Sequence, residues 1–179
     1  MEYLDLVDEN NRLTGEKKTR NYVHQKGLWH REIEVWVCND VKEILVQKRS
    51  SNKKLMPNKW TSACAGHIDA GESIIDSALR ELNEELGITD LLAADLKFIT
   101  TIKSSRVTDK IINNHFKYIY FHKTNKKLEE LVLQKEEVEE VKYLSIKEVE
   151  NIIKNKNEDY LFSNRENINQ IIDYIKENN

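Results

Sequence analysis

Between Arg31 and Cys38 polar and apolar residues alternate, and after a turn signal at Asn39-Asp40 a second apolar run, Ile44-Leu45-Val46, lies between Glu43 and Gln47. A period of two sends successive side chains to opposite faces of a strand, so the runs 31–38 and 43–49 predict a β-hairpin. Strands are also predicted over 3–7, 60–65, 96–103, 111–122 and 137–144. The run 111–122 carries aromatic and aliphatic residues at both phases, as a strand buried on both faces would. The stretch 8–11 with Gly15 reads as a turn region, and 50–59, which holds the only proline, Pro57, reads as a surface loop.

Over 73–86 the period changes. Ile74, Ile75, Ala78, Leu79, Leu82 and Leu86 follow helical spacing, and Gly87 stands where a helix-terminating glycine belongs. Ser145 with Glu148 three residues later predicts a second helix start through a capping box, and 166–177 predicts a C-terminal helix. Strands around one amphipathic helix, with further helices at the end, give an α/β (α+β) class. A chain of 179 residues can bury one sizeable core. The expectation is a single domain over 1–179, with 1–30 an extension packing on it and 145–179 the terminal helices.

Composition narrows the classes without naming one. Hydrophobic residues at 39% and charged residues at 33% describe a folded chain rather than a disordered or fibrous one. No apolar run approaches the roughly 20 residues that span a bilayer, and acidic residues occupy the start MEYLDLVDENN. A cytoplasmic protein without membrane or export segments is expected. Cys38 and Cys64 lack the C-x-x-C spacing of a zinc or redox site, so buried reduced thiols are expected. With 28 basic against 31 acidic residues and no basic stripe, polynucleotide binding is disfavoured. A small anionic partner would need a metal ion to supply positive charge.

Such a metal has a visible holder. At about 100° per residue, Glu81, Glu84 and Glu85 fall within roughly 100° of arc on the predicted helix, beside its apolar stripe. Like charges so close repel, and a hard divalent cation with oxygen ligands resolves the conflict. Arg80 can neutralise part of the charge through a salt bridge to Glu72, and Gly66 and Gly71 permit tight turns that could bring the Gly66 carbonyl to the same metal. An isolated E-x-x-E-E would more often be a solvated acidic face. Here the whole segment Gly66 to Ile88 matches G-x5-E-x7-R-E-U-x-E-E-x-G-U, with U aliphatic, at Gly66, Glu72, Arg80, Glu81, Leu82, Glu84, Glu85, Gly87 and Ile88. Chance would give this on the order of one time in a million.

The segment resembles the Nudix box. The resemblance implies an αβα sandwich with a mixed central sheet, and hydrolysis of a nucleoside diphosphate linked to a moiety X. It further implies that Glu81, Glu84 and Glu85, with Gly66, hold Mg2+ (Mn2+ as a substitute), and that Glu72 and Arg80 brace loop to helix. Glu81 or Glu84 would orient or deprotonate water. Some members use a base outside the box, for which Glu136, Glu137, Glu139 and Glu140 are candidates. The implied partner is a small diphosphate substrate, and pairing into a homodimer is common in the family.

Beyond the box, Leu4 to Asp8, Leu13-Thr14-Gly15, Val23-His24, Trp29-His30, Gln47 to Ser50, Lys54, Pro57 and Trp60 to His67 are similar to the Nudix-related isopentenyl-diphosphate isomerases and the hydrolases like them. In those isomerases a catalytic cysteine precedes the Gly-His pair, where this chain has Ala65; Cys64 is one residue early and on a strand would face the opposite side. The second catalytic group is a glutamate, where this chain offers Asn113, Asn114 and His115. Isomerisation is therefore the alternative reading, and a nucleotide-sensing binding module a second one. The isomerases hold a metal through histidines, near whose positions His24, His30 and His67 fall, without the glutamate ligands. His67, Lys48 and Arg49 are the candidates for substrate contact, and Lys54 for a phosphate contact.

Overall fold

The computed structural model describes residues 1–108, 111–162 and 168–178. Strands β1 (Tyr3–Val7) and β2 (Leu13–Thr19) form a separate antiparallel pair, followed at once by α1 (Arg20–Lys26). The other strands are β3 (His30–Cys38), β4 (Glu43–Arg49), β5 (Trp60–Thr61), β6 (Cys64–His67), β7 (Lys97–Val107), β8 (Ile112–Lys123) and β9 (Val138–Ser145). Helices α2 (Ile74–Leu86), α3 (Ile146–Lys154) and α4 (Ile168–Asn178) complete the elements. The sheet runs β5-β4-β3-β8-β7, with β6 also on β3 and β9 also on β4. Among the described strand pairs only β3 and β8 run parallel, so the sheet is mixed.

The alternation along β3 sorts the core into two layers. Ile33, Val35 and Val37 meet Ala78, Leu82 and Leu86 of α2 on one face. Trp36 and Cys38 point the other way, to Val149 of α3 and to Ile168, Ile171, Ile172 and Ile175 of α4. This is the αβα arrangement. A third, smaller cluster of Leu4, Leu6 and Val23 holds the N-terminal pair of strands to α1.

Several sequence expectations change in detail. The hairpin of β3 and β4 exists, yet its ladder joins only Val37 to Leu45 and Cys38 to Ile44. The rest of that edge of β3 pairs with β6, from Glu32↔His67 to Val35↔Cys64, and β4 instead spends its length on β9. The sheet thus forks along β3, and the fork opens a cleft. The single strand expected over 60–65 is two short ones, β5 and β6, on different partners. Strand β2 and helix α1 were not anticipated. The start of the C-terminal helix expected at Glu166 lies outside the described residues, and its described part is α4.

Helix α2 begins where the Ser73 hydroxyl accepts a hydrogen bond from the Asp76 amide at 3.2 Å. It ends at Gly87, whose φ of 67° is the left-handed conformation that glycine adopts without strain. Both ends are fixed locally, so its carboxylates are set in register with the preceding loop.

Candidate active site

Arg80 ties that loop to the helix. Its Nε donates to Glu72 Oε1 at 3.0 Å and its Nη2 to Glu72 Oε2 at 3.0 Å and to the His67 carbonyl at 3.1 Å. Its Nη1 reaches Glu81 at 2.7 Å and Glu84 at 3.1 Å. Burial works against the guanidinium, but the bonds to Glu72 and the charge of Glu81 outweigh it and raise its pKa. For Glu72, burial is likewise overcome by Arg80 and Ser77, and its carboxyl is held below the usual value.

Glu85 has no such partner. It is buried, and its carboxylate accepts 2.7 Å from the neutral Gln47 amide. Burial, then the charge of Glu81, push its pKa up to about 8. Glu81 is also raised by burial, against the pull of Arg80. Glu84 is half exposed at the mouth. A Cβ added at Gly66 would overlap the Glu81 carboxylate, so the backbone of β6 lies directly against it. Carboxylate oxygens gathered beside open backbone, with the buried Glu85 touched by no cation among the described residues, fit a hard divalent ion such as Mg2+.

A second cluster borders the same cleft, with His24 and His67 on its wall and His30 buried behind them. His24 from α1, His30 from β3 and His67 from β6 present ring nitrogens that all fall within 4.8 Å of one another. His24 Nε2 and His67 Nε2 are 3.2 Å apart. His30 Nδ1 lies 3.1 Å from the Leu28 carbonyl, which assigns the proton to that nitrogen, and its buried Nε2 has no hydrogen-bond partner among the described residues. Glu32 stands beside two of these rings, 3.6 Å from His67 and 3.8 Å from His30, and 3.5 Å from His115 on β8. Burial would raise Glu32, but Lys117 and His115 hold it well below the usual carboxylate range. Burial also pushes His24 and His115 down to about 4 and His67 well below its ordinary value. Neutral imidazoles are the form that ligates metal.

The cleft, of about 440 Å³, takes in His24, His67, Gly66, Glu81, Glu84 and Glu85 together. Arg49 lines it as well, with its guanidinium committed to the Leu55 and Met56 carbonyls at 3.0–3.3 Å. Lys48 is not among the lining residues; its ammonium lies 3.9 Å from Glu140. Lys54 lines a neighbouring hollow with Arg20 and Lys53. Of the four outlying glutamates only Glu137 lines the cleft, paired with Lys53. Ala65 lines it, whereas Cys64 is fully buried in the core under α2. Glu32, Lys53 and Arg20 carry no sequence signal for the site, and His115, expected only at the place of the isomerases' second catalytic group, stands beside Glu32 instead. For Arg20 only a helix signal was present, since Thr19 and Gly27 cap α1 at its two ends.

Comparison with known proteins agrees with this geometry. A family model described as the NUDIX domain matches residues 28–165. An uncharacterized Nudix hydrolase of Clostridium acetobutylicum is 38% identical, over 87% of this chain and 75% of its own length. Nudix hydrolase 3 of Arabidopsis thaliana is 36% identical over 89% of this chain, which spans only 21% of that larger protein. The isopentenyl-diphosphate isomerase of Serratia proteamaculans is 34% identical, over 66% of this chain and 64% of its own. Among solved folds, a Deinococcus radiodurans protein superposes with a TM-score of 0.71 at 16% identity, covering 97% of this chain and 99% of that one. Among the described residues no helix is long and apolar enough to cross a membrane. With the box helix, the forked mixed sheet and the matched model all coinciding, the chain belongs to the Nudix family, on the side of it where hydrolases and isopentenyl-diphosphate isomerases are neighbours.

Proposed function

We propose that the protein is a single-domain Mg2+-dependent pyrophosphohydrolase, with Mn2+ as a substitute, acting on a nucleoside diphosphate or a nucleoside diphosphate linked to a group X. The observation that carries this is the convergence of Glu81, Glu84 and Glu85 with the Gly66 backbone, Glu85 being buried without a cation of its own. Glu81, Glu84, Glu85 and the Gly66 carbonyl would hold the ion, which would supply polarisation of phosphoryl oxygens and a lowered pKa for water. Arg80 and Glu72 keep loop and helix in register, and Glu81 or Glu84 orients the attacking water. Arg49 and His67 face the substrate. The three histidines form a second divalent-metal site of the same cleft.

The isomerase reading has the histidine cluster in its favour. Against it stand Ala65, which has no proton to transfer, and Cys64, which is turned into the core. The deciding measurement is a screen of nucleoside diphosphates, nucleotide sugars and isopentenyl diphosphate with Mg2+, scored for phosphate and mononucleotide release and for proton exchange. Release from the nucleotides is expected. Exchange into isopentenyl diphosphate without release would establish the isomerase, and tight nucleotide binding without turnover the sensing module.

Gly66→Ala adds the one carbon that the Glu81 carboxylate now excludes. Displacing that carboxylate by about 1 Å is expected to lower kcat/KM about 10²-fold. An alanine variant as active as the parent would show that Glu81 needs no such placement.

A further inference from the structure

The sheet face opposite α2 carries a groove that the glutamate helix does not use. Its walls come from alternate positions of three adjacent strands. These are Glu34 on β3, Lys117 on β8, and Thr100, Ser104 and Arg106 on β7, with Gln170 of α4 at one end. Register fixes them on one face, since Glu34 sits level with Ile119 and Lys117 with Ile102, both in the core layer under α3 and α4. Where that layer stops, the same face turns polar. The groove encloses about 640 Å³, a volume ordinary for a small-molecule subsite. It opens into the cleft, because Glu32, Asn113, Lys117 and Arg106 belong to both walls.

Its chemistry is that of paired donors and acceptors. Lys117 Nζ lies 3.3 Å from Glu34 and 3.4 Å from Glu32, and Glu34 is fully buried. Two more polar atoms on this wall, Asn113 Oδ1 and His115 Nδ1, are buried with no hydrogen-bond partner among the described residues. An alkyl chain laid here would desolvate the ion pair and return no hydrogen bond. A group with several hydroxyls does the opposite, since each hydroxyl can donate to a carboxylate while accepting from an ammonium.

We propose that this groove is the subsite for the X group, and that it selects a hydroxyl-rich moiety of the sugar or polyol class over a hydrocarbon, with Glu34 and Lys117 as the discriminating pair. The assignment rests on the diphosphate reading only for the anchoring of the phosphate end in the neighbouring cleft.

The test needs no turnover, so it is separable from the hydrolase reading. Calorimetric titration of the full chain in saturating Mg2+ would compare ribose 5-phosphate with isopentyl phosphate, two monoesters of equal charge with no diphosphate linkage to hydrolyse. The parent is expected to bind the sugar ester at least about tenfold tighter. In the double variant Glu34→Gln with Lys117→Met, which removes both charges of the pair, the preference is expected to fall to threefold or less, about 0.6 kcal/mol. Should that variant not fold by circular dichroism, Arg106→Met on the exposed wall is expected to reduce the preference in the same direction. Equal affinity of the parent for the two esters, measurable or not, overturns the proposal, as does a preference that survives in the folded variants.

Discussion

Glu85→Gln is expected to yield a protein that folds better without metal and turns over substrate at least about 10²-fold more slowly, a loss of about 2.7 kcal/mol in transition-state stabilisation. Both halves follow from one fact. The Glu85 carboxyl is buried beside Glu81 with only the Gln47 amide for a partner, so its charge is useful to a bound cation and costly without one. Glutamine keeps the volume and a hydrogen bond to Gln47 but removes the charge. Steady-state hydrolysis in Mg2+, together with the melting temperature of the chelated protein, measures both effects. Glu84→Gln is expected to slow turnover as well but to leave metal-free stability nearly unchanged, because Glu84 is half exposed and Arg80 already neutralises it. If Glu85→Gln hydrolysed substrate at the parent rate, the box helix would not be the catalytic element.

The second large effect is a pH dependence of stability that metal should erase. Glu85 titrates near 4.5 in an unfolded chain and near 8 in the folded one. Between those values folding takes up a proton, so stability is complete at low pH and is lost as pH rises through about 8, at up to about 1.4 kcal/mol per pH unit. Glu81 is raised too and acts in the same direction. His24 and His115, depressed from 6.5 to about 4, have the opposite sign, but their contribution is complete above 6.5. The window from pH 6.5 to 8 therefore isolates the glutamates, below the range in which the buried Cys64 thiol would add to the same trend. Metal-free protein is expected to lose about 5 °C or more of melting temperature across it. Saturating Mg2+, which binds the ionised carboxylates, should flatten the curve. A metal-free melting temperature that held steady or rose over this range would contradict the burial of an uncompensated Glu85.

How much of this could be read in advance depended on how local each feature is. The residues of α2 carry their own period, cap and glycine stop, and the box spacing places Glu72, Arg80 and the three glutamates within one loop and one helix. Strands β3, β4 and β8 announced themselves by alternation or apolar runs. Strand β2, LTGEKKT, is mostly exposed and has almost no apolar phase, so nothing marked it. Helix α1 spans only Arg20–Lys26, too short for a periodic signal, although its caps were present. Glu32 shares a face with His30 by alternation along β3, but it reaches His67 and His115 only because β3 pairs in parallel with β8 and antiparallel with β6, pairings between distant segments that no window of sequence contains. The same non-local ladders explain why Glu34 and Lys117 could not be matched beforehand, and why the hairpin expected of β3 and β4 turned out so short.

That parallel ladder, from His30↔His115 to Cys38↔Lys123, also orders the events of synthesis. The box helix and all three clustered histidines emerge from the ribosome before Ile112 does. Until β8 arrives, β3 has one edge bare, with a row of unpaired amides and carbonyls beside apolar side chains. A nascent or truncated chain ending short of β8 would thus carry every box residue and still offer a template for aggregation, so the exposed interval runs from the emergence of Cys38 to that of Lys123.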